Sequence, residues 1–424
     1  MPRIHVVGAG LAGLSAAVAL AGRGLRVVLS EAAPQAGGRC RSYHDAQLGL
    51  TIDNGNHLVL SGNRAVARYM AAIGAEDRLA GPGEAMFPFL DLRDGTRWTL
   101  RPNGGPLPWW VLAPGRRVPG TRIRDYMALA RLLRARSAQR IDAILPSRGV
   151  LWERLLQPVL VSMLNTPPEQ GSAVLAGAVL RESLARGGAA SRPLVAVPDL
   201  EAAFVAPALG HLRRMGEEIR LGRRLRQLAM EAGRVRALGF ADGEEALAPE
   251  DRVVLAVPPW TAAELLPGLS VPNRFHAIVN AHFATVPPPG AAPVTGLVGG
   301  TAEWVFAFPD RVSTTTSAAD ALLEQPQDAL VARLWRDAAA ALRLPCGNDP
   351  PPCRIVREKR ATFAATPEQE ARRPGPATGL GNLWLAGDWV ATGLPATIEG
   401  ALRSGEAAAE LALKGLMGAE TLAR

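Results

Sequence analysis

Cysteine is nearly absent from this chain, and lysine and tyrosine are almost as scarce. Only Cys40, Cys346 and Cys353 occur in 424 residues, with no C-x-x-C pair among them. That pattern excludes a disulfide framework and a redox dithiol and offers no zinc site, so no metal is expected and a cytoplasmic location is. Lys359 and Lys414 are the only lysines, so the net charge of +8 rests on arginine. No basic run is interleaved with aromatic residues, which argues against nucleic acid; a basic face turned to anionic lipid headgroups fits better. Apolar runs of roughly 18 residues, the length a membrane span needs, are missing outside residues 4–21. There, three glycines spoil the helix and only Arg3 supplies a positive flank. The expectation is a soluble, unprocessed chain. At 48% hydrophobic and 20% charged residues it has the composition of a globular enzyme, and its length suits two or three domains.

What is present begins at residue 4. A Val-rich apolar run ends at Gly8, and an Ala-rich helical run follows Gly10. This reads as strand, tight turn and helix. In the resulting G-x-G-x-x-G motif Gly8 permits the turn, Gly10 lets a pyrophosphate approach the backbone, and Gly13 lets the helix pack on the strand. Leu11 and Ala12 open the helix, whose free N–H groups face phosphate. Residues 25–29 form a second strand with Glu31 at its end, about the 20-residue separation at which a carboxylate meets the ribose hydroxyl.

Further along, residues 86–92 and 97–100 read as a hairpin closed by Asp94-Gly95. Residues 103–120 are rich in proline and glycine and carry Trp109 and Trp110, and residues 122–190 are mainly helical. A helix is predicted over residues 200–215, and strands at 219–221, 225–230, 234–240 and 251–257. Strand-like alternation continues at 277–285, 294–299 and 304–308. A helix follows at 326–343, a strand at 382–387, and a last helix from Pro395 to about residue 413. Nucleotide-domain signals therefore lie at the start, middle and end. The expected fold is α/β: a Rossmann-like, doubly wound dinucleotide domain (residues 1–80, 195–265 and 355–424). It is interleaved with a mixed α+β substrate domain (81–194 and 266–354) that is helical around 122–190.

Three other motifs carry chemistry. Gly37-Gly38-Arg39 can place a guanidinium beside the pyrophosphate. In Asp53-Asn54-Gly55-Asn56-His57, Gly55 and Asn56 can lie against a planar ring. His57 and Asp53 are the candidate proton donors, each with a structural reading beside it. Residues 385–401 read as strand, Gly387-Asp388, a loop, and a helix opening at Pro395, a preferred first helical position. Glu399 then falls in the first turn, where the helix dipole favours an acid.

Together, Gly8 to Glu31, Gly37-Gly38-Arg39 and Gly387-Asp388 through Ala401 resemble the flavin-containing amine oxidoreductase superfamily across the whole chain. That resemblance implies FAD, with Leu225 at the adenine and the helix start at Pro395, Ala396, Thr397 and Ile398 beneath the flavin. The amine-oxidase cysteine that links flavin has no counterpart in residues 385–401, so the resemblance implies non-covalent FAD. Three tyrosines make a poor aromatic amine cage. More narrowly, residues 392–401, Val197-Pro198 and the Pro-Trp-Trp segment resemble the squalene-associated branch, the hydroxysqualene dehydroxylases. This implies that reduced flavin gives a hydride to hydroxysqualene, forming squalene in bacterial hopanoid synthesis. The partners implied are a long-chain isoprenoid, an unidentified reductant, and a membrane surface near Trp109 and Trp110 seated by Arg116 and Arg117. A carotenoid-type desaturase or isomerase, an amine or amino-acid oxidase, and a non-catalytic isoprenoid escort remain open at this point.

Overall fold

A computed structural model describes residues 2–345 and 349–422, with side chains of the last helix described as far as Gly415; Cys346 lies outside the described residues. The strand opening the chain, Arg3–Val7, is the centre of a five-stranded sheet. Its neighbours are Arg26–Ser30 and then Glu218–Arg220 on one side, Arg252–Leu255 and then Leu383–Leu385 on the other. All pairings are parallel. Val6, Leu29, Val254 and Leu255 are fully buried. A parallel sheet is covered on both faces, which is why these strands read as continuous apolar runs.

Helix Leu11–Ala21 covers one face together with the C-terminal helix Ile398–Leu422. The two cross so closely that a Cβ on Gly405 would lie 2.2 Å from the Ala12 carbonyl oxygen. The opposite face meets the antiparallel meander Leu225–Glu231, Arg234–Phe240 and Gly243–Ala246.

The second sheet has seven strands in the order Cys353–Phe363, Phe275–Phe283, Val312–Thr316, Trp304–Ala307, Val294–Val298, Phe87–Asp91, Arg97–Leu100. Side chains alternate across it. Val279, Ala281 and Phe283 pack on helix Gln327–Leu342, with Phe283 and Trp335 centroids 5.2 Å apart. Asn280, His282, Trp304, Phe306 and Phe89 therefore take the other face, towards the first sheet.

Three expectations need correction here. Strand Cys353–Phe363 runs antiparallel beside Phe275–Phe283, so the expected boundary at residue 355 cuts through a strand of the second sheet. The last helix starts at Ile398 and extends to Leu422. The Thr397 hydroxyl accepts the Gly400 N–H at 3.0 Å and caps it, leaving Pro395 and Ala396 in the loop. The segment 122–145 is also less helical than expected, holding only the short helices Ile123–Met127 and Leu129–Leu132. Among the described residues no helix is long and apolar enough to cross a membrane.

Candidate functional site

The three glycines of the first turn have different grounds: backbone angle and distance at Gly8, distance at Gly13, and open space at Gly10. Gly8 has φ +105°, and a Cβ there would sit 2.3 Å from the Ala256 carbonyl oxygen. A Cβ on Gly13 would lie 1.8 Å from the Gly8 carbonyl oxygen. Around Gly10 nothing approaches within 4 Å of that position, so this backbone faces open space. Helix Leu11–Ala21 has no side-chain cap at its start. Its first N–H groups thus have no protein acceptor and form an anion cradle.

Gly37 N–H bonds the Ala9 carbonyl at 2.8 Å, laying the Gly37-Gly38-Arg39 turn beside the first loop. Glu31 accepts the N–H groups of Ala9 (2.7 Å) and Ala33 (2.8 Å). Its backbone bonds Arg220 and Arg223, which brings Leu225 to the same end of the sheet. Arg39 pairs with Asp388 at 2.7 Å and also donates to the Ala361 carbonyl. Arg39 reaches both sheets, through Asp388 after the last strand of the first and Ala361 in the second, while its side chain keeps 44% of its accessibility. It therefore lines an internal cleft between the two sheets.

The Gly55-Asn56-His57 turn forms one wall of that cleft. Asn56 donates to Thr314 and Thr315 of the second sheet (3.2 and 3.0 Å), leaving its Oδ1 buried without a partner among the described residues. His57 Nδ1 lies 2.8 Å from the Gly55 carbonyl. That contact requires the proton on Nδ1 and leaves a lone pair on Nε2. Burial holds the imidazole below its ordinary pKa, helped by the charge of Arg39. At neutral pH this ring is an acceptor and not a proton donor.

Asp53 is occupied differently. Its carboxylate accepts the Ser42 hydroxyl (2.6 Å) and the Leu200 N–H (2.9 Å), and pairs with the fully buried Arg311 (3.0 Å). Every lone pair facing a neighbour is engaged, so Asp53 braces the seam between the sheets.

The C-terminal loop supplies the remaining wall. Gly387 N–H bonds the Ser404 hydroxyl, and a Cβ there would strike the Trp389 indole, whose N–H donates to Val257. Beneath the loop lies Arg373, whose side chain is wholly inaccessible. It donates to the carbonyls of Asp388, Trp389, Val390 and Leu394 and pairs with Glu370. Glu399 does more than meet its own helix dipole: it is 3% exposed. Its carboxylate accepts the Ala65 and Val66 N–H groups, capping helix Arg64–Ile73. The arginines here, 311 and 373, escaped the sequence reading because each works at a distance in chain position that no local pattern records.

In the cross-strand row that starts at Asn280 and Thr315, where Asn56 is bonded, the next large side chains are aromatic. Phe89 stacks on Trp98 at 5.3 Å and tilts against Trp304 at 5.6 Å. Helix Gln157–Leu164 faces them. Its Val159, Val161, Ser162 and Met163 are only partly buried although the helix lies inside the molecule, as expected of residues lining a channel. At the strand end, the Glu303 carboxylate accepts the Ser317 N–H at 2.9 Å. Trp109 and Trp110 part company. Trp109 is 51% exposed with Arg116 stacked 4.9 Å over its ring. Trp110 is buried edge-on against Tyr126 at 5.4 Å, so the expectation of a surface role for Trp110 is corrected: it is core.

Comparison with known proteins fits this geometry. The family model for flavin containing amine oxidoreductase matches residues 11–413. The chain belongs to that family. A hydroxysqualene dehydroxylase of Sinorhizobium fredii is 53% identical over 97% of this chain and 99% of its own. One of Rhodopseudomonas palustris is 52% identical over 97% and 98%. Among solved structures, an oxidoreductase from Methanosarcina mazei superposes with a TM-score of 0.73 at 15% identity, over 96% of this chain and 100% of that one.

As a flavin-containing amine oxidoreductase, the protein uses FAD. The residues present suit it: the open backbone at Gly10, the uncapped helix start and the partnerless Asn56 Oδ1 are what a dinucleotide and a flavin ring require. Burial pushes the Cys40 and Cys353 thiols up to about 12, which keeps both protonated at neutral pH.

Proposed function

We propose that this protein is an FAD-dependent hydroxysqualene dehydroxylase, reducing hydroxysqualene to squalene. The observation that carries the reading is full-length identity of about one half to curated relatives of that name. The aromatic, apolar channel beside the nucleotide cleft supports it. Reduced flavin, when bound, supplies the hydride that replaces the hydroxyl group.

The chain's residues divide the remaining work. Gly8, Gly10, Leu11, Ala12 and Gly13 receive the pyrophosphate, and Glu31 and Leu225 the adenosine end. Gly37, Gly38 and Arg39 would hold the phosphates, and Arg39, now paired with Asp388, would supply the guanidinium donors. Gly55, Asn56 and His57 lie along the ring. Gly387, Asp388 and the segment Pro395-Ala396-Thr397-Ile398 would hold the flavin as well, and the helix N-terminus there would favour a negative charge on it. FAD is held without a covalent bond. The aromatic wall excludes water, fixes the carbinol carbon and stabilises an allylic cation through the ring faces. His57, a neutral acceptor, orients the substrate hydroxyl rather than protonating it, and Asp53 positions the loop that carries His57.

The substrate partitions into membrane, and the entrance is placed at residues 107–127. Leu107, Trp109, Leu112 and Met127 are all at least half exposed there. Arg122, Arg124 and Arg131 are exposed beside them, a basic rim suited to anionic headgroups. The protein is thus assigned to the cytoplasm with peripheral attachment to the inner membrane face.

The test is anaerobic incubation of the purified protein with reduced FAD and hydroxysqualene, followed by mass spectrometry. Squalene formation is expected. Absence of squalene with flavin bound, or desaturation of a polyene by the oxidised form, overturns the reading.

A further inference from the structure

We infer that Glu303, seated against Ser162 at the inner end of the aromatic wall, is the acid that protonates the departing hydroxyl group. This rests on the reductive reading above. Loss of hydroxide from an allylic carbon needs a proton, and neither polar residue expected beside the flavin can give one. His57 presents a lone pair, and Asp53 is bound by Ser42, Leu200 and Arg311.

Glu303 differs from both. Its backbone N–H bonds the Thr315 carbonyl at 3.0 Å, and the Thr315 hydroxyl bonds Asn56. Its backbone is therefore bonded to the strand residue whose side chain meets Asn56. The carboxyl accepts the Ser317 N–H, and the Ser162 hydroxyl is close enough to favour its charged form. The adjacent Trp304 indole donates to the same Ser162. Ser162 is only partly buried on its helix, so acid, hydroxyl and aromatic ring meet beside the row of aromatic side chains.

No cation is within ion-pair distance of this carboxyl among the described residues. The nearest titratable groups on packed elements are otherwise engaged. Asp337, on helix Gln327–Leu342, accepts the Thr301 and Ala302 N–H groups. Asp320 pairs with His276 at 2.6 Å. Burial pushes Glu303 up to about 7, a value that keeps a proton available at neutral pH and suits a general acid.

The step balances. The Glu303 O–H proton goes to the substrate hydroxyl oxygen, the C–O bond breaks, and its electron pair leaves with water. The allylic cation takes the hydride supplied by the reduced cofactor. Squalene, water, oxidised flavin and the Glu303 carboxylate remain, and the carboxylate regains its proton from solvent.

The test uses the FAD-loaded protein and Glu303→Gln, which keeps the acceptor for Ser317. In anaerobic single turnovers the wild-type rate should fall about tenfold per pH unit above about pH 7, because only the protonated carboxyl acts. E303Q should be slower by about 10²- to 10⁴-fold and lose that dependence. Independently of turnover, infrared difference spectra between about pH 6 and about pH 8 should show a protonated carboxyl band disappearing in wild type and not in E303Q. Ser162→Ala removes a hydrogen bond that favours the carboxylate, so its alkaline limb should move to higher pH. Turnover by E303Q within about threefold of wild type with the limb retained overturns the assignment, as does an unmoved limb in S162A. A wild-type protein inert at every pH overturns the dehydroxylase reading itself; an active wild type with an unaffected E303Q overturns Glu303 alone.

Discussion

Replacing Arg373 with methionine removes the side chain that holds residues 388–394 from below. Its guanidinium donates to the carbonyls of Val390 (2.6 Å), Leu394 (2.8 Å), Asp388 (3.2 Å) and Trp389 (3.3 Å). Methionine fills the volume but offers no donor, and the wholly buried position admits little water. Each stranded carbonyl costs about 1–3 kcal/mol. At the low end, four of them cost about 4 kcal/mol, comparable to breaking a buried ion pair. The loop will relax to recover part of this, carrying Asp388 away from Arg39. If the loss falls mainly on the cofactor-bound state, FAD affinity drops by about 10²- to 10³-fold. Fluorescence titration of the apoprotein with FAD measures this directly, and thermal melting shows how much falls on the fold. Lysine at 373 restores one or two of the bonds and should land between. R373M that binds FAD within about threefold of wild type and melts within about 1 °C of it refutes the reasoning.

Three further outcomes follow from the geometry. Gly13→Ala places a methyl 1.8 Å from the Gly8 carbonyl oxygen, so the purified protein should be colourless and should not take up added FAD; a yellow, stoichiometrically loaded G13A contradicts this. Arg311→Met leaves Asp53 buried and unpaired, at about 3–5 kcal/mol. Burial already holds the Asp53 carboxyl above its usual value. The variant should therefore recover stability as pH falls and the acid is protonated, and urea melts at acid and neutral pH that shift equally for variant and wild type would deny it. Trp109→Ala with Met127→Glu should abolish co-sedimentation with anionic lipid vesicles while leaving FAD content unchanged, whereas Trp110→Ala should reduce stability instead. Undiminished vesicle binding by the double variant removes the proposed entrance.

The sequence made some of this visible because some of it is local. Gly8, Gly10 and Gly13 answer to a turn closed within a few residues, and Glu31 to the strand that follows, so the cradle can be read along the chain. The alternating strands of the second sheet were also recognisable by period. Other features depend on partners remote in the chain. Asp53 carried a structural and a catalytic reading in the sequence, and the remote Arg311 against it supports the structural one. Glu399 looked like a residue serving its own helix, but it caps another. Trp109 and Trp110 are neighbours in sequence, and only packing on Tyr126 separates a surface residue from a core one. The helix expected at Pro395 begins at Ile398 because the Thr397 hydroxyl captures the Gly400 N–H, a choice between adjacent caps that composition leaves open. Glu303 lies in a short turn with no motif around it; its surroundings come from three separate segments.

The central claim is that reduced flavin on this protein delivers its hydride to hydroxysqualene. It is tested most directly by stopped-flow mixing of the reduced, FAD-loaded protein with hydroxysqualene in the absence of oxygen. The expected result is return of the oxidised-flavin spectrum with one squalene formed per flavin. Flavin that stays reduced while hydroxysqualene is bound and unchanged would contradict the account.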